Sequence, residues 1–154
     1  MALPAVREPA LRAAGWALVV DEPVGIADIV VVSLDSDGAG ALEAADLVQS
    51  GIATRVAVFT DPPNGEDFEF SRRGLPYEDA SAKQIRQLNW LGLTDVMKIA
   101  GTEGGTEGEG LVLPSWCDQH KLRSIVFVVA RDHSRRTRRV LDRIMKGLGT
   151  ILEF

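Results

Sequence analysis

Cysteine occurs once in the 154 residues, at Cys117. A lone cysteine cannot close a disulfide within the chain, so the fold requires no oxidising compartment. Long apolar runs are also missing, and no stretch approaches the roughly 18 residues that a transmembrane helix needs. Met1 to Pro9 lack the basic start and apolar core of a signal peptide. Basic charge is in the minority: 17 Lys and Arg stand against 22 Asp and Glu, for a formal net charge of −5. A chain that is acidic overall gains nothing from wrapping a polyanion, so nucleic-acid binding would have to rest on a local patch. No repeat and no low-complexity tract is present.

What is there is a series of short apolar runs of strand length: Trp16 to Val20, Ile29 to Leu34, Arg55 to Phe59, a weaker one at Val96 to Ala100, Ser124 to Ala130, and Thr150 to Phe154. The central runs are β-branched and continuous, as in strands buried on both faces. Helical patterns fall between them. Gly40 to Ser50 follows Asp37, a good cap, and stops at Gly51. Asp79 to Leu91 places Ala82, Ile85 and Leu88 on one side. Ser134 to Lys146 places Thr137, Val140, Leu141, Ile144 and Met145 on one side, with Gly147 as the stop. Glu107 to Lys121 contains Pro114, which predicts a kink or a late start. The stretch from Thr60 to Glu78 reads as a long acidic and aromatic loop. The alternation predicts one α/β domain over residues 1–154, with residues 1–14 as a lead-in. Its architecture is a Rossmann-like three-layer fold with a mostly parallel sheet of about five or six strands flanked by helices. Ligands of such sheets sit beyond the carboxyl ends of the strands.

The segments that follow the strands are therefore the places to look for chemistry. Asp35-Ser36-Asp37-Gly38 follows the second run. Its glycine admits close backbone approach, while its aspartates suit hydroxyls or a cation better than a bare phosphate. Arg72-Arg73, beside acidic residues, reads as surface. Gly101 to Gly110 is glycine-dense but is not a P-loop, because no Gly-Lys-Ser/Thr follows. Within it Thr106 to Glu109 has the form of a capping box. Arg131 to Arg136 follows the clearest strand. With Ser134 as N-cap, helical geometry puts His133 and Arg136 toward the strand ends and sends Arg135, Arg138, Arg139 and Lys146 toward water. A histidine so placed is suited to proton transfer or hydrogen bonding near neutral pH.

The ordered set of motifs resembles the DUF218 family, also called the ElyC/SanA/YdcF family, from about Leu11 to Gly147. The similar stretches are LVVDEPVGIADIVVV, EAADLVQSGIATRVAVF, YEDASAKQIRQLNWLGL, GTEGGTEGEGLVLPSW and SIVFVVARDHSRRTRRVL. The resemblance implies Glu78, Thr106, Glu109, His133 and Arg136 as pocket residues, a Rossmann-like sheet, and an envelope-associated role in bacteria. It also implies S-adenosylmethionine as a ligand of some members. Many members start with a membrane anchor, so a soluble domain, cytoplasmic or periplasmic, is the expectation. This chain departs from the pattern at Asp35-Ser36-Asp37-Gly38, at Thr60-Asp61-Pro62-Pro63 and at Gly110, where the family has a glycine-rich turn, a Ser-Gly-Gly-like turn and an asparagine. These changes weigh against a phosphate cradle.

Three functions compete. In the first, an enzyme acts on a phosphate-bearing or otherwise anionic small molecule: Arg136 holds the anion, His133 transfers a proton, and Glu109 or Glu78 orients the histidine or holds a metal. In the second, a non-catalytic module senses a nucleotide-like ligand such as S-adenosylmethionine through Asp35, Gly38, Glu78 and Thr106. The third, nucleic-acid binding through residues 131–146, is disfavoured. That segment has seven basic and two acidic residues, but the background is acidic and aromatics are few.

Overall fold

Val30, Val31 and Val32 are completely buried, and so are their neighbours in the sheet, Ala57 and Val58. The continuous apolar runs become the centre of a five-stranded sheet in a computed structural model that describes residues 23–101, 103–146 and 151–154. The strands are β1 (Ile29–Val32), β2 (Val56–Thr60), β3 (Val96–Ala100), β4 (Ser124–Val128) and β5 (Ile151–Glu153). Every pairing is parallel, in the order β3-β2-β1-β4-β5. The predicted strand at Trp16 to Val20, the lead-in and the Gly147 stop lie outside the described residues.

Alternate residues of each strand face opposite layers. Ile29, Val31, Phe59, Ile125 and Phe127 meet Leu113, Trp116 and Cys117 of α4 (Gly105–Gln119) and Leu141 and Met145 of α5 (Ser134–Met145). Val30, Val32, Val58 and Val126 meet Ala41, Ala44 and Leu47 of α1 (Asp37–Gln49) and Leu88 of α3 (Ala80–Trp90). The expected three-layer α/β fold is therefore present. β3 has only Ile99 fully buried and carries the exposed Lys98, as an edge strand does, which is why its run was the weaker signal.

Several local expectations are corrected. Asp37 is the first helical residue, not a cap; the turn before it, Leu34–Ser36, is a 3₁₀ turn, and no side chain caps α1. A similar turn, Arg131–His133, precedes α5, which moves Ser134 one place into the helix with its hydroxyl on the Arg131 carbonyl at 2.8 Å. Helix α4 starts at Gly105 and runs through Pro114, so the proline does not delay it. The long loop contains a two-turn helix, α2 (Gly65–Arg72), closed by a reciprocal Asn64–Asp67 capping box. Arg72 and Arg73 both bond Glu69 there. On α3 the buried positions are Ser81, Gln84 and Leu88, while Ala82 is exposed. Two polar side chains thus replace apolar ones on the face turned to the sheet.

The carboxyl ends of all five strands lie at one edge of the sheet, and β1 is where chain order reverses. β2 and β3 lie on one side of it, β4 and β5 on the other. At the opposite edge the Asp28 carboxylate accepts from the N–H groups of Arg123 (2.6 Å) and Ser124 (3.0 Å), which aligns β1 with β4 and holds the acid below its usual range. Gly101 leaves β3 with its N–H on the Thr60 carbonyl at 2.7 Å. A Cβ there would stand 2.4 Å from that same oxygen. Gly101→Ala is therefore expected to destabilise the protein by about 1–3 kcal/mol in urea unfolding, because backbone must shift to admit the methyl. Gly65→Ala, which meets nothing within 4 Å, is the neutral control.

Candidate functional site

Beyond the carboxyl ends of β1, β2, β3 and β4 lies a cleft of about 570 Å³. Its walls include Ser33 and Asp35 after β1, Asp61 and Asn64 after β2, Glu103, Thr106 and Glu109 after β3, and His133 and Arg136 after β4. Its position is the topological switch point at which doubly wound sheets bind ligands.

The floor is built around Ser33. Its N–H donates to the Val128 carbonyl at 2.9 Å, continuing the β1–β4 pairing one residue past the strand. Its hydroxyl donates to the Glu109 carboxyl, 2.9 and 2.8 Å from the two oxygens, and the Leu34 N–H donates to Glu109 Oε1 at 3.0 Å. Glu109 was predicted as part of a capping box with Thr106. Instead the N-cap of α4 is Gly104, at φ 116° with no side-chain cap, and Thr106 lies inside the first turn. Glu109 reaches across to β1, 6% exposed. Burial raises its pKa to about 7, and the charges of Asp35 and Asp61 push the same way against the lowering pull of the Leu34 N–H and the Ser33 hydroxyl.

Asp35 is the third residue past β1. Its Oδ2 stands 3.0 Å from His133 Nδ1, so the carboxylate accepts from that ring nitrogen. This bond raises the imidazole pKa; Asp132, 3.8 Å from Nε2, reinforces the shift, while partial burial and Arg136 oppose it. The partner that orients His133 is therefore Asp35, neither of the glutamates predicted for that task. Arg136 makes no ion pair with another described residue and stands exposed on the same wall.

Five of the seven predicted residues, Asp35, Thr106, Glu109, His133 and Arg136, meet at this cleft. Two do not. Glu78 pairs with Arg86 of α3 on the exposed surface. Gly38 sits in α1 facing α3, where a Cβ would lie 3.2 Å from Gln87 Nε2; its small size serves helix packing. Ser33, Asp61, Asn64 and Glu103 were not anticipated. Ser33 was hidden inside a run assigned to strand, although a hydroxyl that interrupts an otherwise apolar run is a readable sign. Asp61 is held above the usual carboxylate range by burial first, then by Asp79 and Asp67.

With Asp35, Asp61, Glu103 and Glu109 against Arg136 and His133, acid predominates in the cleft. Among the described residues no cluster of three or more His, Cys, Asp or Glu side chains is arranged to hold a metal ion. Cys117 is buried on the core face of α4, its thiol pushed up to about 11, and supplies no nucleophile here. A smaller cleft of about 390 Å³ opens on the α1 side of β4, and none of the seven predicted residues lines it. No helix among the described residues is long and apolar enough to cross a membrane.

No family model matches the chain, and no curated protein does. Among solved structures, the reductase domain of an aureusimine biosynthetic cluster aligns over 99% of this chain and 56% of its own, at 12% identity and a TM-score of 0.43. The chain thus spans a little over half of that domain.

Glu109 binds its proton more tightly folded than unfolded. Its contribution is complete below about 4.5, its unfolded value, and declines as pH rises through about 7. The expected loss of stability is on the order of 3 kcal/mol. His133, raised by Asp35, adds a slope of the same sign, lost as pH rises through its folded pKa. Urea unfolding at a series of pH values should show this decline in the wild type, and Glu109→Gln should flatten most of it.

Proposed function

We propose that the chain is a DUF218-like protein that binds an anionic or nucleotide-like small molecule in the strand-end cleft and acts on it through His133. The observation that carries this reading is the convergence of the Asp35–His133 pair and Arg136 on one cleft at the switch point. Asp35 fixes the ring by accepting a hydrogen bond from Nδ1–H, so Nε2 is the nitrogen left to exchange a proton with a ligand. Arg136, in the first turn of α5, supplies a fixed positive charge and a planar fork of donors for a carboxylate or phosphoryl group. Asp35, Asp61 and Glu103 repel a bare polyphosphate but accept hydroxyl or amine donors, as on a ribose. The ligand this favours has one anionic group and a hydroxyl- or amine-rich remainder. Transfer or hydrolysis at the anionic group is the reaction class that needs such a proton carrier. A role in the cell envelope is what the family resemblance implies.

A second reading, a non-catalytic binding module, draws support from the raised pKa of His133. An imidazole kept protonated toward neutral pH is a second cation beside Arg136, and the two together seat an anion without chemistry.

A thermal-shift panel of phosphate monoesters, nucleotides and S-adenosylmethionine tests both readings. A ligand at 100 times its Kd adds about 2.7 kcal/mol, which raises Tm by roughly 5–10 °C in a protein of this size. Arg136→Ala is expected to weaken the hit about tenfold or more. On the enzymatic reading His133→Asn lowers turnover by about 10²–10⁴ with binding little changed. On the binding reading no turnover occurs, and His133→Asn weakens affinity as Arg136→Ala does. A hit bound equally well by wild type and both variants would remove the cleft from consideration.

A further inference from the structure

The turn that carries Asp35 is gripped from both faces of the sheet. From the α4 side, the Glu109 carboxyl holds the Ser33 hydroxyl and the Leu34 N–H. From the α3 side, Gln84 Nε2 donates to the Ser33 carbonyl at 2.9 Å and lies 3.4 Å from Ser36 Oγ. The Ser36 hydroxyl closes on the same carbonyl at 2.6 Å. Gly40 makes room for this, because a Cβ there would fall 1.9 Å from Ser36 Oγ.

Gln84 is 2% exposed, and its Oε1 is buried without a hydrogen-bond partner. Packing gives no reason for an amide at this position. An apolar side chain of similar volume would fill the same space on α3 beside Leu88 without burying an unmet acceptor. What the amide adds is a donor aimed at the Ser33 carbonyl, two residues before Asp35.

We propose that Gln84 is a positioning residue: opposite Glu109, it clamps the Ser33–Ser36 turn and so sets the Asp35 carboxylate against His133 Nδ1. This rests on the reading that the Asp35–His133 pair is the working group of the cleft. Without the amide, the Ser33 carbonyl is anchored only by its own turn. Asp35 then swings away from the ring, and His133 keeps only Asp132 and Arg136 as charged neighbours.

The pair reports its own geometry through the imidazole titration, which no ligand is needed to read. The chain has two histidines, His120 and His133. His120 Nδ1 lies 2.8 Å from the Trp116 carbonyl and serves as an internal reference. NMR titration of both rings in the wild-type chain should place His133 above the usual imidazole value, and Asp35→Asn should lower it. Gln84→Met preserves volume and removes the donor. It should bring the His133 pKa at least half of the way to the Asp35→Asn value, leave His120 unmoved, and cause no further drop when combined with Asp35→Asn. Should Gln84→Met fail to fold, Gln84→Asn serves instead, since it retracts the same amide by one methylene and should shift His133 in the same direction.

A folded Gln84 variant whose His133 titrates as in the wild type, while Asp35→Asn still lowers it, would overturn the positioning role and leave the pair intact. Failure of Asp35→Asn itself to lower the His133 pKa would instead overturn the pair, and the positioning role with it.

Discussion

The Ser33 hydroxyl donates to a carboxyl that arrives from a helix 76 positions later in the chain, and much of the cleft is arranged around that contact. It joins the end of β1 to α4, and so to the layer that follows β3. The Ser33 N–H meanwhile continues the pairing with β4. One residue thus connects the two halves of the sheet at the point where chain order reverses. Ser33 keeps an extended backbone while it holds the glutamate, and the chain tightens into a 3₁₀ turn directly after it, at Leu34–Ser36. That turn delivers Asp35 over the end of β4, where the second 3₁₀ turn presents His133. Two short turns of the same kind, each between a strand and a helix, bring the pair together.

The cost of this arrangement is concentrated in Glu109. A carboxyl with 6% exposure is desolvated, and the neighbouring charges of Asp35 and Asp61 add to the difficulty of ionising it. Two donors from β1 only partly offset this. The cleft is therefore electrostatically uneven: a lone arginine and an imidazole on the α5 wall face acids supplied by the three other strand ends. A ligand that matches it must carry charge or hydrogen-bonding groups of different character at its two ends, which is a stronger demand than net charge alone.

The sheet was legible because its central strands are buried on both faces, and unbroken apolar, mostly β-branched runs such as Ile29 to Val32 and Ile125 to Val128 have few alternative uses. Helix α2 was not legible. None of its residues is buried, so no apolar period marks it, and its capping box does the work that packing does elsewhere. The start of α1 was read three residues late, at Gly40 instead of Asp37, and Ser134 was read as the cap of α5 instead of its first residue, because a 3₁₀ turn occupies the place of a side-chain cap. In the site, His133, Arg136 and Asp35 could be named from their position after strong strands together with helical phase. Glu78 could not be placed, since nothing in a sequence says that the segment before α3 turns back onto Arg86. Gln84 was passed over for the opposite reason. A glutamine within a helical stripe reads as a surface residue until the strand-end carbonyl it serves is in view.

Helix α2 has a consequence for how the molecule fluctuates. It leans on local contacts: the Asn64–Asp67 cap, the Glu69 pairs, and the Phe70 ring stacked 4.9 Å from Tyr77. Phe68 beside them is largely exposed. Unwinding α2 therefore uncovers almost none of the apolar interior, and it can proceed while the sheet stays folded. Amide protons of residues 65–72 will exchange with solvent through brief local openings, whereas those of β1 and β4 wait for the whole domain to come apart. Asn64 belongs to both worlds, capping the labile helix and lining the cleft, so one rim of the cleft opens and recloses on a faster clock than its floor.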